Sequence, residues 1–187
     1  MGQSKVYGDE DPVLNYSPIS LPFNDQFDGK LERVEGQTVG FYKITKGDLT
    51  IIRDGKDVSS NYNITFDSNV NFEIKHKPID LDGITLDSNT VEYDGNEHSL
   101  AINGTLPDGV SVTYDLVRDA GTHKITAIFT HENENYAEAT MVAYLTITKR
   151  AITITPNNDQ GKVYGSEDPD ELKFEIVPSD LADGDSI

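Results

Sequence analysis

One eight-residue stretch occurs twice in the chain: Lys5-Val6-Tyr7-Gly8-Asp9-Glu10-Asp11-Pro12 and Lys162-Val163-Tyr164-Gly165-Ser166-Glu167-Asp168-Pro169. Seven of the eight positions are identical, and the copies lie 157 residues apart, from 5 to 162. Repetition of this kind constrains the architecture before any single residue is read, because each repeat is one structural solution used again. A whole domain follows the first copy, and only a short remainder ending at Ile187 follows the second. The expectation is a window on a tandem array, with a nearly complete first unit and a truncated last one.

The residues between the copies read as β structure. Val6 and Tyr7 are strand formers, and Gly8 opens a turn whose acidic residues end at Pro12. Leu14 and Tyr16 alternate as a half-buried strand would. Pro18 and Pro22 break regularity, and Phe23 and Phe27 are expected to anchor the following loop in the core. Strands are expected over 31–34, 39–45, 49–52, 61–66 and 71–75, with a hairpin turn at Asp54-Gly55. No apolar stripe of helical period persists.

A second unit begins near Lys77-Pro78 and follows the first. Tyr93-Asp94-Gly95 stands for Tyr7-Gly8-Asp9, Gly121 to Thr126 for Gly40 to Thr45, Asn135-Tyr136 for Asn61-Tyr62, and Leu145-Thr146-Ile147 for Phe72-Glu73-Ile74. Further strands are expected at Ala101-Ile102 and over 110–114. Lys149-Arg150 forms a basic hinge before the strand Ala151 to Thr155 opens the last unit. Linkers this short predict a semi-rigid rod.

Charge and composition remove several function classes. The chain carries 33 acidic and 15 basic residues, a net charge of −18. Such a surface repels phosphate backbones, so nucleic acid is not the expected partner. Anionic membranes are disfavoured for the same reason, and no apolar run is long enough to span a bilayer. Cysteine is absent, which removes disulfides, thiol chemistry and thiolate metal sites. Met1-Gly2 with its polar sequel is not a signal peptide and reads as a start added ahead of the repeats.

No constellation assembles a catalytic site. Asp9, Glu10 and Asp11 offer oxygen ligands, but Ca²⁺ takes six to eight of them and the second copy replaces Asp9 with Ser166. The preferred reading is a turn that hydrogen-bonds its own backbone, with no metal and no cofactor; Ca²⁺ is the lesser alternative. The other carboxylates are scattered, so a glycosidase pair is not indicated. His76, His98, His123 and His131 lack metal-type spacing. There is no Gly-x-Ser-x-Gly elbow and no phosphate-cradling glycine loop. Tyr7, Tyr62, Tyr93, Tyr136 and Tyr164 recur at matched positions, which favours packing with a hydrogen-bonded hydroxyl over ligand binding. Asn63-Ile64-Thr65 and Asn103-Gly104-Thr105 fit the N-glycosylation pattern and are read as coincidence. A Lys–Asn isopeptide crosslink is conceivable, but sequence identifies no pair.

A resemblance now becomes specific. Residues 5–76 resemble the bacterial surface-repeat family called the MBG domain, YGX type. The residues that carry it are Val6 to Pro12, Gly29-Lys30-Leu31-Glu32-Arg33, Gly36 to Gly40, Tyr42 to Leu49 and Asn61 to Phe66. Residues 77–149 resemble the related Ig-like repeats with a Tyr-Asp-Gly motif, through Tyr93-Asp94-Gly95, Leu106 to Val110, Ala120-Gly121-Thr122 and Asn135-Tyr136. Residues 150–187 resemble the opening of another YGX-type unit.

The domains expected are therefore 1–76, lacking its opening strand, then 77–149, and 150–187 as an N-terminal part. The fold expected is all-β, a series of small Ig-like β-sandwich units. A β-grasp-like unit is the alternative if Pro18 to Phe27 forms a short helix. The resemblance implies a non-catalytic stalk or spacer in a large secreted or cell-wall-associated bacterial adhesin. Direct binding of a host glycan, mucin or surface protein is the competing reading, and an accessory domain of a secreted enzyme is a third. Neighbouring repeats are the expected partners. Self-association is a further expectation, with Ala151 to Thr155 of another molecule adding to an open edge of the first unit.

Overall fold

A computed structural model of the chain describes residues 3–17, 19–67, 69–177, 181–182 and 184–186. The expectations placed on Met1, Gly2, Pro18 and Ile187 lie outside the described residues. Two compact units are present: residues 1–79 with 130–138, and residues 80–129 with 139–187.

The first unit is built from short strands that alternate inward and outward residues. They are β1 (Gln3–Val6), β2 (Gln26–Asp28), β3 (Glu32–Arg33), β4 (Gly40–Thr45), β5 (Thr50–Arg53), β6 (Lys56–Asp57), β7 (Asn71–Lys75) and β8 (Lys77–Pro78). One sheet has the order β1-β7-β4-β3 and a second the order β2-β5-β6. β1 runs parallel to β7, with Gln3 opposite Phe72. β4 runs antiparallel to β7, with Tyr42 opposite Phe72. In β7, Phe72 and Ile74 are buried between outward neighbours. They pack with Leu31, Ile44 and Leu49, and with the half-buried Tyr7, Leu14, Phe27, Tyr42 and Phe66. The turn between β5 and β6 places Asp54 and Gly55 at φ 47° and 73°, the doubly left-handed turn that suits a two-residue hairpin.

The second unit repeats this plan. Its strands are β9 (Thr85–Leu86), β10 (Asn89–Glu92), β11 (Ile102–Asn103), β12 (Val110–Tyr114), β13 (Gly121–His131), β15 (Ala139–Thr148), β16 (Ile154–Pro156) and β17 (Phe174–Ile176). β14 (Tyr136–Ala137) pairs with β8 inside the first unit. The main sheet has the order β10-β15-β13-β12, with β10 parallel to β15 as β1 is to β7. Ile125, Leu145 and Ile147 are buried with Leu100 and Ala143. The motif tyrosine ends the parallel strand in the same way in both units. Tyr7 N–H donates to Lys75 O, and Tyr93 N–H donates to Thr148 O, each at 2.9 Å.

The chain is thus all-β and sandwich-like, in agreement with the expected class. The β-grasp alternative needed a helix over Pro18 to Phe27; the described residues of that stretch hold a 3-10 turn, Pro22–Asn24, followed by the start of β2. Phe23 does not anchor the core: it is 76% exposed, in the left-handed region at φ 61°. Phe27 does pack inward and meets Tyr16 edge to face at 5.6 Å. Residues 62–67 are not a ladder strand, although Tyr62, Ile64 and Phe66 are half-buried between exposed neighbours. The side-chain alternation expected there is real, but among the described residues no strand is paired with it. Leu14 to Tyr16 is likewise outside any strand.

Candidate functional site

The repeated octapeptide builds the same turn twice. Gly8 and Gly165 have φ of 90° and 86°, a conformation that L side chains rarely adopt. Asp9 N–H donates to Val6 O at 3.1 Å, and Ser166 N–H donates to Val163 O at 3.0 Å. The left-handed glycine at the third position is what a type II turn requires. The turn brings the octapeptide's lysine back over the aspartate that precedes its proline. Lys5 Nζ lies 2.7 Å from Asp11 Oδ1, and Lys162 Nζ lies 2.7 Å from Asp168 Oδ1.

In the first unit this pair is the centre of a larger cluster. Lys5 Nζ also donates to Asp9 O and to Gln37 Oε1, both at 2.9 Å. Arg33, on β3, grips the Asp11 carboxylate with two donors, Nε at 2.6 Å and Nη2 at 3.0 Å. Its Nη1 donates to Val34 O at 3.0 Å and Gly36 O at 2.8 Å. The guanidinium sits over Tyr42 and Phe72, its Cζ 5.0 and 5.1 Å from their ring centres. Gly36 is needed at that spot: a Cβ there would lie 2.0 Å from the Tyr42 ring.

The Arg33 grip, reinforced by Lys5, holds the Asp11 carboxyl down at about 2 despite the opposing effect of partial burial. Lys5 and Arg33 have nearly buried side chains, whereas that of Asp11 is 42% exposed. All three Lys5 donors are used, and the Arg33 donors are largely used. Asp11 lines two clefts, of about 740 and 720 Å³. The acidic corner therefore does not hydrogen-bond its own backbone through Asp11, as the sequence led us to expect; it is a clamp between strands. Asp9 and Glu10 are exposed on its rim. Among the described residues, no three His, Cys, Asp or Glu side chains converge as a metal site would require.

A second ionic cluster was invisible in the sequence. Asp25, with a fully buried side chain, binds Arg53 Nε at 2.5 Å and Nη2 at 2.9 Å. Tyr62 donates its hydroxyl to the same carboxylate. The Arg53 bonds lower the Asp25 pKa, and the bond to Asp25 raises that of Tyr62. Phe23 lies under Arg53, whose Cζ is 4.9 Å from its ring centre. Nothing in the spacing of 25, 53 and 62 marks them as partners; only the β2–β5 pairing brings them together.

The tyrosines divide by position. The Tyr7 hydroxyl accepts a long bond from Asn133 Nδ2 at 3.4 Å, and the Tyr7 ring meets Tyr136 edge to face at 6.1 Å. Tyr136 stacks on His131 at 3.9 Å. The Tyr93 hydroxyl bonds Asp185 at 3.2 Å. Tyr164 is fully exposed and does not follow the packing expectation. Asn135 Oδ1 accepts from Val39 N–H at 2.7 Å, and Lys77 N–H donates to Asn135 O at 2.9 Å.

The histidines stay apart. His98 Nε2 pairs with Asp94 Oδ1 at 2.7 Å, and His123 Nε2 lies 2.7 Å from Asp119 O. Asp94 is held at about 2, first by the Asn96 backbone N–H and then by His98. His76 is exposed at the end of β7. Of the two sequons, Asn103 donates to Asp87 at 2.8 Å.

One further pair of residues was missed. Gln3 donates its amide to Asn15 O at 2.9 Å and accepts from Asn15 N–H. Gln160 donates to Lys173 O at 2.7 Å and accepts from Lys173 N–H. Each glutamine stands two residues before the octapeptide, so the repeat itself carried the signal.

Residues 1–72 match the family model described as MBG domain (YGX type). No curated protein and no solved structure matches the chain.

Proposed function

Given that residues 1–72 match the MBG domain, YGX type, whose members are surface-associated repeat domains, we propose that the chain is a non-catalytic stalk or spacer segment of a large bacterial cell-surface adhesin. The observation that carries this reading is the fate of the repeated octapeptide. Its lysine and aspartate are joined to each other in both copies. In the first copy the cationic donors around that aspartate are turned inward, to Gln37, Asp9, Val34 and Gly36. A motif retained for catalysis or ligand capture would leave donors or acceptors aimed at open space. This one is spent on holding a turn against a sheet. Repetition of a brace is what a spacer needs, since each unit must hold its own shape.

Domains at 1–76, 77–149 and 150–187 complete the reading, in series on a secreted or wall-associated protein. No helix among the described residues is long and apolar enough to cross a membrane. The test is twofold. Small-angle scattering of the chain, with Ca²⁺ and with chelator, is expected to give one metal-independent extended particle. Immobilised mucin and a glycan array are expected to retain none of it. Retention that survives moderate salt would replace the spacer reading with direct adhesion.

A further inference from the structure

In each of the first two repeats proposed above, the motif tyrosine is held by its backbone within the repeat and meets a later one with its side chain. Tyr7 N–H donates to Lys75 O and Tyr93 N–H to Thr148 O, which closes the parallel strand in both cases. The hydroxyls reach much further along the chain. That of Tyr7 accepts from Asn133 Nδ2, 126 residues on, and that of Tyr93 donates to Asp185 Oδ1, 92 residues on. Each span is longer than the repeat at 77–149. Both contacts lie inside a compact unit, because residues 130–138 belong to the first and residues 139–187 to the second.

The segment that meets Tyr7 is preformed. Asn133 Oδ1 accepts from Asn135 N–H at 3.0 Å and from Asn135 Nδ2 at 2.7 Å. Asn133 N–H donates to His131 Nδ1 at 2.9 Å, and Tyr136 N–H to Asn133 O at 3.1 Å. A loop already held in one shape loses little freedom when it is seated. The β14–β8 pairing, Tyr136 opposite Lys77, joins it to the start of its own repeat. Towards residues 1–76 it presents the Tyr136 ring to Tyr7, edge to face at 6.1 Å, and Asn135 Oδ1 to Val39 N–H at 2.7 Å. At Tyr93 the segment is different. Leu181, Ala182 and Asp185 line a cleft of about 360 Å³ with Tyr93 and Ile152, and Ala182 is buried. Asp185 N–H donates to Ala182 O at 3.1 Å. The two segments differ in sequence, which a phenol hydroxyl tolerates: it accepts from an amide in one and donates to a carboxylate in the other.

We propose that the motif tyrosine is a docking seat for the repeat that follows, occupied at Tyr7 by Asn133 and Tyr136 and at Tyr93 by Ala182 and Asp185. Each repeat is thereby completed by its downstream neighbour, the nearest-neighbour coupling on which repeat arrays depend. The proposal rests on the division into repeats given above and not on the absence of adhesion, so the two readings fail separately. Retention on mucin removes the spacer reading and leaves the seat standing.

Native-state hydrogen exchange on the full chain tests the first seat, through Tyr7→Leu, Tyr136→Leu and the double variant. Leucine keeps apolar bulk at both sites. Each single variant is expected to speed exchange at Val39 by about fivefold, the worth of an aromatic pair, and the double variant to be no faster than the faster single one. An unchanged rate at Val39 overturns the proposal. So do rates that multiply in the double variant, because the two rings then act independently. His98 and Val117, whose amides bond each other's carbonyls in the second unit, are expected to keep their wild-type rates. Equal acceleration there overturns the proposal too, since Tyr136→Leu would then be disturbing its own repeat. Tyr93→Phe tests the second seat and removes only a hydroxyl. Exchange at the Asp185 amide is expected to rise about threefold; an unchanged rate ends the claim for that seat.

Discussion

Lys5 and Asp11 lie 2.7 Å apart across the first Tyr-Gly turn, and Lys162 and Asp168 lie 2.7 Å apart across the second. The repeated octapeptide is thus a closed loop, pinned at its ends by an ion pair and at its middle by a left-handed glycine. In the first unit Arg33 extends the pin to β3, and the pH behaviour of the unit follows from it.

The Asp11 carboxyl, held at about 2 against an ordinary value of 3.8, binds its proton less readily folded than unfolded. The stabilisation it gives is fully present above about pH 4 and is lost as pH falls towards 2. With a half-exposed carboxylate the contribution is screened, to about 1 kcal/mol. Asp11→Asn is expected to lower the unfolding midpoint at pH 7 and to flatten the midpoint's fall between pH 4 and 2. Thermal melts across that range, wild type against variant, check it; parallel curves would contradict it.

Asp25, Arg53 and Tyr62 form one unit of charge and hydrogen bonding. Removing the hydroxyl in Tyr62→Phe takes away one of the bonds that lower the Asp25 pKa, so the carboxyl is expected to titrate at higher pH. Carboxyl-carbon NMR titration reads this directly. An unchanged titration midpoint would mean the hydroxyl does not hold the carboxylate.

Phe72 is fully buried at the meeting of β1, β4 and β7 and carries the Arg33 guanidinium. Phe72→Ala is expected to cost about 3–5 kcal/mol, the range for deleting a large core ring. Denaturant unfolding measures it. A cost under about 1 kcal/mol would mean the core collapses onto the gap.

Asn135 supplies a side-chain acceptor to Val39 N–H at 2.7 Å within the first unit. Asn135→Ala leaves that amide without its partner, at a cost of about 1–2 kcal/mol. Hydrogen exchange is expected to speed up at Val39, whereas Lys77, which donates to the Asn135 backbone oxygen, keeps its partner. A wild-type exchange rate at Val39 would show the contact to be dispensable.

The repeat made much of this legible. Tyr7-Gly8 and Tyr164-Gly165 announced a turn, and β7 and β12 have the limits their alternation predicts. Local pattern was sufficient there because a turn glycine and a period of two are local requirements. Phe23 shows the limit of that reasoning. Its apolar ring suggested the core, but two left-handed residues, Phe23 and Asn24, turn it outward over Arg53. Residues 61–66 show another limit: alternation fixes which side chains face inward, while a strand also needs a neighbouring backbone.

By itself, then, the sequence determined a β chain of repeated units, the turn that recurs in them, and the absence of thiol chemistry. The tertiary structure alone decided what the recurring charges do. Asp11 meets Arg33 across 22 residues and Asp25 meets Arg53 across 28, distances over which periodicity carries no information. Pairing between remote strands sets such contacts, and the cost of leaving a buried charge or an apolar surface unpartnered selects which of them form.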